Sequence, residues 1–145
     1  MKQIVTTIAI TLVATMAAAG GERSYVRPSL SDGGGSPFSG AVRVGDTLYL
    51  SGAIGLDDDQ KVPATAKAEA TLLLDGIKAT LESAGYTMDD LVTVTVYCSD
   101  VKHYADFNEI YRGYFTKEFP ARAFVGSGTL LFDARFELQA IAVKR

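Results

Sequence analysis

The sequence predicts a single α+β domain in which two helices cover one face of a mixed sheet, in the order β-β-α-β-α-β-β. Three observations carry that prediction. The chain has 145 residues, the size of one domain. Apolar residues make up 48% of it, enough for a packed core and too many for a disordered chain. Its hydrophobic pattern switches between two-residue alternation and three-and-four-residue spacing, with hairpins at both ends and no internal repeat.

The elements follow in order. Ala41–Val44 and Thr47–Gly52 flank Gly45-Asp46, a tight turn that reads as a hairpin. Asp57-Asp58-Asp59 marks a solvated loop. Ala66, Ala70, Leu73, Leu74, Ile77, Leu81 and Ala84 then repeat at helical spacing, which predicts a helix over 66–84 capped by Gly85. Leu91–Tyr97 is β-branched and alternating, the pattern of a strand with one buried face. A second helix is expected over 102–117, its apolar stripe formed by Tyr104, Phe107, Tyr111 and Tyr114. Two strands close the chain, Arg122–Gly126 and Arg135–Val143. In the last, Phe136, Leu138, Ala140 and Ala142 form one face and Glu137, Gln139, Ile141 and Val143 the other.

The first 35 residues read differently. A basic start at Lys2, an uncharged apolar run and the small residues Ala17-Ala18-Ala19 are the three parts of a secretory signal peptide. The run is short for a bilayer span, which takes about 20 residues, although a membrane anchor or an N-terminal core strand would share its composition. The expectation is residues 1–19 as a signal cleaved after Ala19, 20–35 as a flexible lead-in rich in Gly, Ser and Pro, and 36–145 as the folded domain. The processed protein would be secreted or periplasmic, with no stable membrane association.

Composition narrows the chemistry. A formal charge of −3 lacks the basic face that drives nucleic-acid binding. One Cys forms no disulfide within the chain, and one His with one Cys does not make a structural zinc site. A Ser-His-Asp triad would have to use His103, yet no Gly-x-Ser-x-Gly elbow accompanies it, so a capping or exposed histidine is the simpler reading. Cys98 reads as a buried or edge thiol. Asp57-Asp58-Asp59 lacks the spaced ligands of a calcium loop.

Arg122 and Glu137 resist such dismissal. Arg122 stands among Ala121, Ala123, Phe124 and Val125, where a guanidinium needs a partner and its fork suits a carboxylate. Glu137 shares its strand face with apolar Ile141 and Val143, a costly place unless the charge is paired, functional or wetted. The pattern leaves open an Arg122–Glu137 ion pair, a water-facing glutamate, or a site.

Five stretches then occur together: Ser36-Pro37-Phe38-Ser39, Leu48–Gly52, Phe107-Asn108, Phe119-Pro120-Ala121-Arg122 and Glu137–Val143. In order and spacing they resemble the reactive intermediate deaminase (RidA/YjgF) family, over nearly the whole chain from Ser36. The resemblance implies a chorismate-mutase-like fold and a homotrimer with clefts between subunits. It also implies hydrolysis of enamines and imines of the 2-iminobutanoate and 2-aminoacrylate type to 2-oxo acids and ammonia, with no cofactor or metal. Arg122 would grip the substrate carboxylate and Glu137 would position and deprotonate the attacking water. Ser51, Gly52, Asn108, Phe38 and Phe124 would line the cleft.

Two positions depart from the family. Phe38 stands where the family has a tyrosine, and Phe124 where it has a cysteine, so substrate preference does not carry over. The alternative to an enzyme is a module that holds small carboxylates in the same cleft without turnover. RNA cleavage, attributed to some family members, suits an acidic chain poorly.

Overall fold

A computed structural model describes residues 22–27 and 36–144. The expected signal segment, and residues 20–21 and 28–35 of the expected lead-in, lie outside them. The chain forms β1 (Arg23–Val26), β2 (Ala41–Val44), β3 (Thr47–Ile54), α1 (Ala66–Ser83), β4 (Leu91–Cys98), α2 (Tyr104–Tyr111), β5 (Ala121–Gly126) and β6 (Phe136–Val143). The strands make one sheet in the order β1-β2-β3-β6-β4-β5, antiparallel except for the parallel β4–β5 pair at one edge. Among the described residues no helix is long and apolar enough to cross a membrane.

The α+β reading holds, with two differences in the elements. Arg23–Val26, inside the expected lead-in, is a strand paired with β2, and its Val26 tucks against the core. The second helix is shorter than 102–117: α2 is flanked by 3-10 turns at 101–103 and 112–114. Asp100 starts the first turn by accepting from the Lys102 N–H. Beyond Gly113 the chain turns extended at Phe115, where Tyr111, Phe115 and Phe119 stack on one another and the Asp89 carboxylate accepts from the Thr116 N–H at 3.0 Å. Side-chain packing and an aspartate thus end a helix that spacing alone would continue.

The helix ends follow local chemistry. Thr65 caps α1 by accepting from the Ala68 N–H at 3.2 Å. At the other end Gly85 takes φ +81°, its N–H donates to the Glu82 carbonyl, and the Tyr86 N–H reaches back to Leu81. This is a Schellman motif, closed by the buried Leu81 and Tyr86 side chains. Gly45 at φ +59° makes the β2–β3 turn.

The core lies between the sheet and the two helices. Phe136, Leu138, Ala140 and Ala142 are all buried there, as their alternation predicts, beside Leu48, Leu50, Val94 and Val96. The apolar face of α1 and Phe107 of α2 complete it, and the Phe107 ring meets Phe136 at 4.9 Å. The opposite sheet face carries Tyr49, Thr93, Thr95, Gln139 and Ile141, and among the described residues no helix covers it.

Candidate active site

Arg122 and Glu137 belong to the same sheet but to different faces. In the parallel pairing Arg122 lies beside Val94, a buried residue of the helix-covered face. Glu137 lies beside Ile54 and Tyr97, between Phe136 and Leu138, and so projects from the uncovered face. The strands β5 and β6 are also two steps apart, about 10 Å at ordinary strand spacing. The Arg122–Glu137 ion pair left open by the sequence does not form within the subunit: among the described residues neither side chain enters a salt bridge. Each is the centre of its own cluster.

Around Arg122 the partners are side chains. One terminal nitrogen donates to the Asn108 Oδ1 at 2.7 Å, and Asn108 is itself buried in α2. The guanidinium carbon lies 4.6 Å from the ring centre of Tyr111, 5.8 Å from Phe124 and 6.0 Å from Tyr104. Aromatic faces favour the cation and fix its plane without using its N–H donors. Asn108 takes one donor, so the rest of the fork is free to meet a carboxylate. The rings of Phe124 and Tyr104 meet edge to face at 5.0 Å, forming a wall beside that fork.

Asn108 and Phe124, which the resemblance implies as cleft residues, both lie against Arg122. Sequence reading does not foresee Tyr104 and Tyr111, read only as parts of an apolar stripe. Tyr111 is indeed buried, which pushes its hydroxyl up to about 12 against the opposing pull of Arg122. Tyr104 is half exposed, and its hydroxyl is lowered from its ordinary value, first by the Asn108 side chain and then by the Arg122 charge. The available signal was the spacing of Tyr104, Asn108 and Tyr111, three polar-tipped residues on one helical face.

Around Glu137 the partners are backbone. Opposite Gln139 the strand β3 inserts one extra residue, a bulge between Leu50 and Ala53 that holds Ser51 and Gly52. A Cβ on Gly52 would collide with Oε1 of Glu137 and stand 3.1 Å from its Cδ. The missing side chain is therefore the space the carboxylate occupies. Ser51 points its hydroxyl at the Ser39 carbonyl, 2.6 Å away, and its N–H donates to Gly40. That ties the segment carrying the exposed Phe38 to the start of the bulge. Ser51 therefore supports the cleft segment, with its proton already committed.

The remaining candidates resolve simply. Cys98 is fully buried, its thiol donates to the Asp100 carbonyl, and burial raises its pKa. His103 packs its ring edge on Phe136. The Asp57 carboxylate accepts from the N–H groups of Asp59 and Lys61, so it closes its own turn.

Comparison with known proteins agrees with this architecture. A RutC family protein of Saccharolobus solfataricus is 40% identical over 110 residues, covering 74% of this chain and 87% of the relative. A protein of Mus musculus named 2-iminobutanoate/2-iminopropanoate deaminase is 38% identical over 110 residues, covering 74% and 82%. Among solved structures, the YjgF gene product of E. coli superposes with a TM-score of 0.73 at 33% identity, covering 83% of this chain and 94% of that one. The family model described as Endoribonuclease L-PSP matches residues 34–144, a span that includes both the arginine and the glutamate clusters, and with these relatives it places the chain in the L-PSP (RidA/YjgF) family.

Proposed function

We propose that this protein hydrolyses reactive enamines and imines of the 2-iminobutanoate and 2-aminoacrylate type to 2-oxo acids and ammonia, at clefts shared between the copies of a homotrimer. One observation carries the reading. The Arg122 guanidinium is held by Asn108 and three aromatic rings, yet has no carboxylate of its own among the described residues. A cation so oriented is a ready anchor for a substrate carboxylate. The names of the 35–38% identical relatives point to the same substrates.

Placement supports a cleft shared between copies, and the family resemblance supplies the number three. A reaction that uses both Arg122 and Glu137 needs them in one cleft, and one subunit holds them on opposite faces. A second copy, set with its arginine edge against the first copy's glutamate face, would join them. The uncovered face suits such a contact, since Tyr49, Thr93, Thr95, Gln139 and Ile141 present no charge to bury.

With the carboxylate on Arg122, the enamine tautomerises to the imine, and water adds to the carbon of the protonated C=N. Glu137 takes one proton from that water as the C–O bond forms, and the C=N electron pair moves to nitrogen. The carbinolamine then collapses: Glu137 returns its proton to the nitrogen, the hydroxyl gives its own proton back to the freed Glu137 carboxylate as the oxygen forms C=O, and the C–N bond breaks to release ammonia. Orientation and general-base help are all the chain must supply, because a protonated imine carbon is already electrophilic. We further propose export, on the signal-like residues 1–19, and no nucleic-acid partner, on the net charge of −3.

The test is release of ammonia and 2-oxo acid from freshly generated 2-iminobutanoate. Wild-type protein is expected to exceed the buffer rate, and Arg122→Ala to lose about 2–4 kcal/mol of transition-state stabilisation. Saturable 2-oxo acid binding without turnover would instead make the chain a carboxylate-binding module. Neither binding nor turnover would reject both.

A further inference from the structure

The start of β6, one residue before Glu137, is paired with β4 through Cys98 but has no strand on its other side. β3 pairs with Glu137 through Ile54 and then leaves the sheet at Gly55. Gly55 rests directly on α1, where a Cβ would collide with the Glu69 carbonyl oxygen. The backbone N–H groups of Arg135 and Phe136 donate instead to one carboxylate oxygen, Oε1 of Glu69, at 2.6 and 3.0 Å. Oε2 of the same carboxylate takes the Arg135 guanidinium at 2.8 Å, and that guanidinium also donates to the carbonyls of Pro63 and Ala64.

Glu69 is fully buried. A carboxylate in such a place costs several kcal/mol unless its oxygens are well bonded, as they are here. A neutral apolar residue would fill the volume of α1 as well, but would leave two backbone N–H groups without acceptors. The one thing this carboxylate does that packing does not is supply acceptors to the backbone leading into Glu137 on the side that β3 has left.

We propose that Glu69, with Arg135, is a positioning residue that sets the height of the Glu137 carboxylate over Gly52. The proposal rests on Glu137 acting on the water, as argued above. The Arg122 cluster shares no hydrogen bond with this clamp, so substrate anchoring and water activation should separate when the clamp is broken.

Four variants test it: Glu69→Ala, Glu69→Gln, Arg135→Met and the double Glu69→Gln/Arg135→Met. In Glu69→Ala, kcat for 2-iminobutanoate is expected to fall at least about tenfold while KM stays within about twofold. The amide oxygen of Glu69→Gln can still accept both N–H groups, but its NH2 would face the Arg135 guanidinium, donor against donor. Removing Arg135 as well relieves that clash, so the double variant should return to within about threefold of the wild-type kcat. Amide hydrogen exchange at 135–137 should speed at least about a hundredfold in Glu69→Ala, with 121–126 unchanged.

A Glu69→Ala kcat within twofold of wild type overturns the proposal, as does a double variant no faster than Glu69→Gln. If Glu69→Ala does not fold, the comparison of those two glutamine proteins decides alone. Should wild-type protein hydrolyse no imine, the reading of Glu137 fails, and exchange at 135–137 becomes the arbiter. Unchanged exchange there would then refute the clamp.

Discussion

The arginine cluster and the glutamate cluster share a sheet but are held by different means. Arg122 lies on the edge strand β5 and is oriented by side chains from α2: an asparagine oxygen at 2.7 Å and the rings of Tyr104 and Tyr111. Glu137 lies on an interior strand and is oriented by backbone, through strand pairing on both sides, a bulge and a glycine without which its carboxylate has no room. A side-chain nest can be retuned one residue at a time. A backbone nest tolerates almost nothing, because each change moves the strand itself. The side chains around Arg122 are therefore free to vary, while the position of the Glu137 carboxylate is locked.

The sharpest way to break this comparison is to remove both centres separately. Glu137→Gln keeps the shape and loses the base, and kcat should fall about 10²- to 10⁴-fold with the carboxylate anchor intact. Arg122→Ala loses the anchor and keeps the base. If the clefts lie between copies, mixing the two inactive proteins under subunit exchange should restore about a quarter of wild-type activity, since each cleft needs an intact arginine from one copy and an intact glutamate from its neighbour. Ammonia release from the re-equilibrated mixture reads this out. No recovery, with exchange verified by mass spectrometry, would place both residues in a single copy's site and contradict the opposite-face geometry.

The same contrast marks how much was legible in the sequence. Alternation along Phe136–Val143 names the buried face without help, and Gly85 after Leu81 and Ala84 announces the helix end. Both signals are local. The faces of Arg122 and Glu137 relative to each other are not, because they depend on the parallel register Val94↔Arg122 and the antiparallel register Tyr97↔Glu137, pairings between segments far apart in the chain. The strand β1 is invisible for a related reason. Four residues, Arg-Ser-Tyr-Val, gain strand character only from their partners in β2, and glycine and proline around them signal a loop. Glu69 was hidden too: its spacing from Ala66 and Leu73 sets it at the border of the apolar stripe, but only the folded chain shows its oxygens meeting Arg135 and Phe136.

A smaller change probes the backbone nest directly. Gly52→Ala places a methyl group where Oε1 of Glu137 now sits, so the carboxylate must swing away or the bulge must shift. We expect kcat to fall about tenfold to a hundredfold, with KM nearly constant because Arg122 is untouched. A small loss of melting temperature should accompany it. If KM rises in step with the fall in kcat, Gly52 serves substrate binding and the two nests are less separate than their faces suggest.

The finest test lies on the arginine side and uses pH. Tyr104 ionises below the ordinary tyrosine range of about 10, because Asn108 and the Arg122 charge both favour its anion. Its negative charge then appears beside the guanidinium that should hold the substrate carboxylate, and like charge opposes binding. The sign is therefore fixed: KM should rise, by about a few-fold, as pH climbs through the Tyr104 ionisation, while kcat at saturation stays level. Tyr104→Phe removes the ionisable group but keeps the ring against Phe124 and Arg122, so its KM should stay flat over the same range. Glu137→Gln should leave the rise in KM intact, since its cluster carries no part of the effect. A parallel alkaline rise in Tyr104→Phe would assign the titration elsewhere, and would mean that the aromatic wall shapes the arginine pocket without tuning its charge.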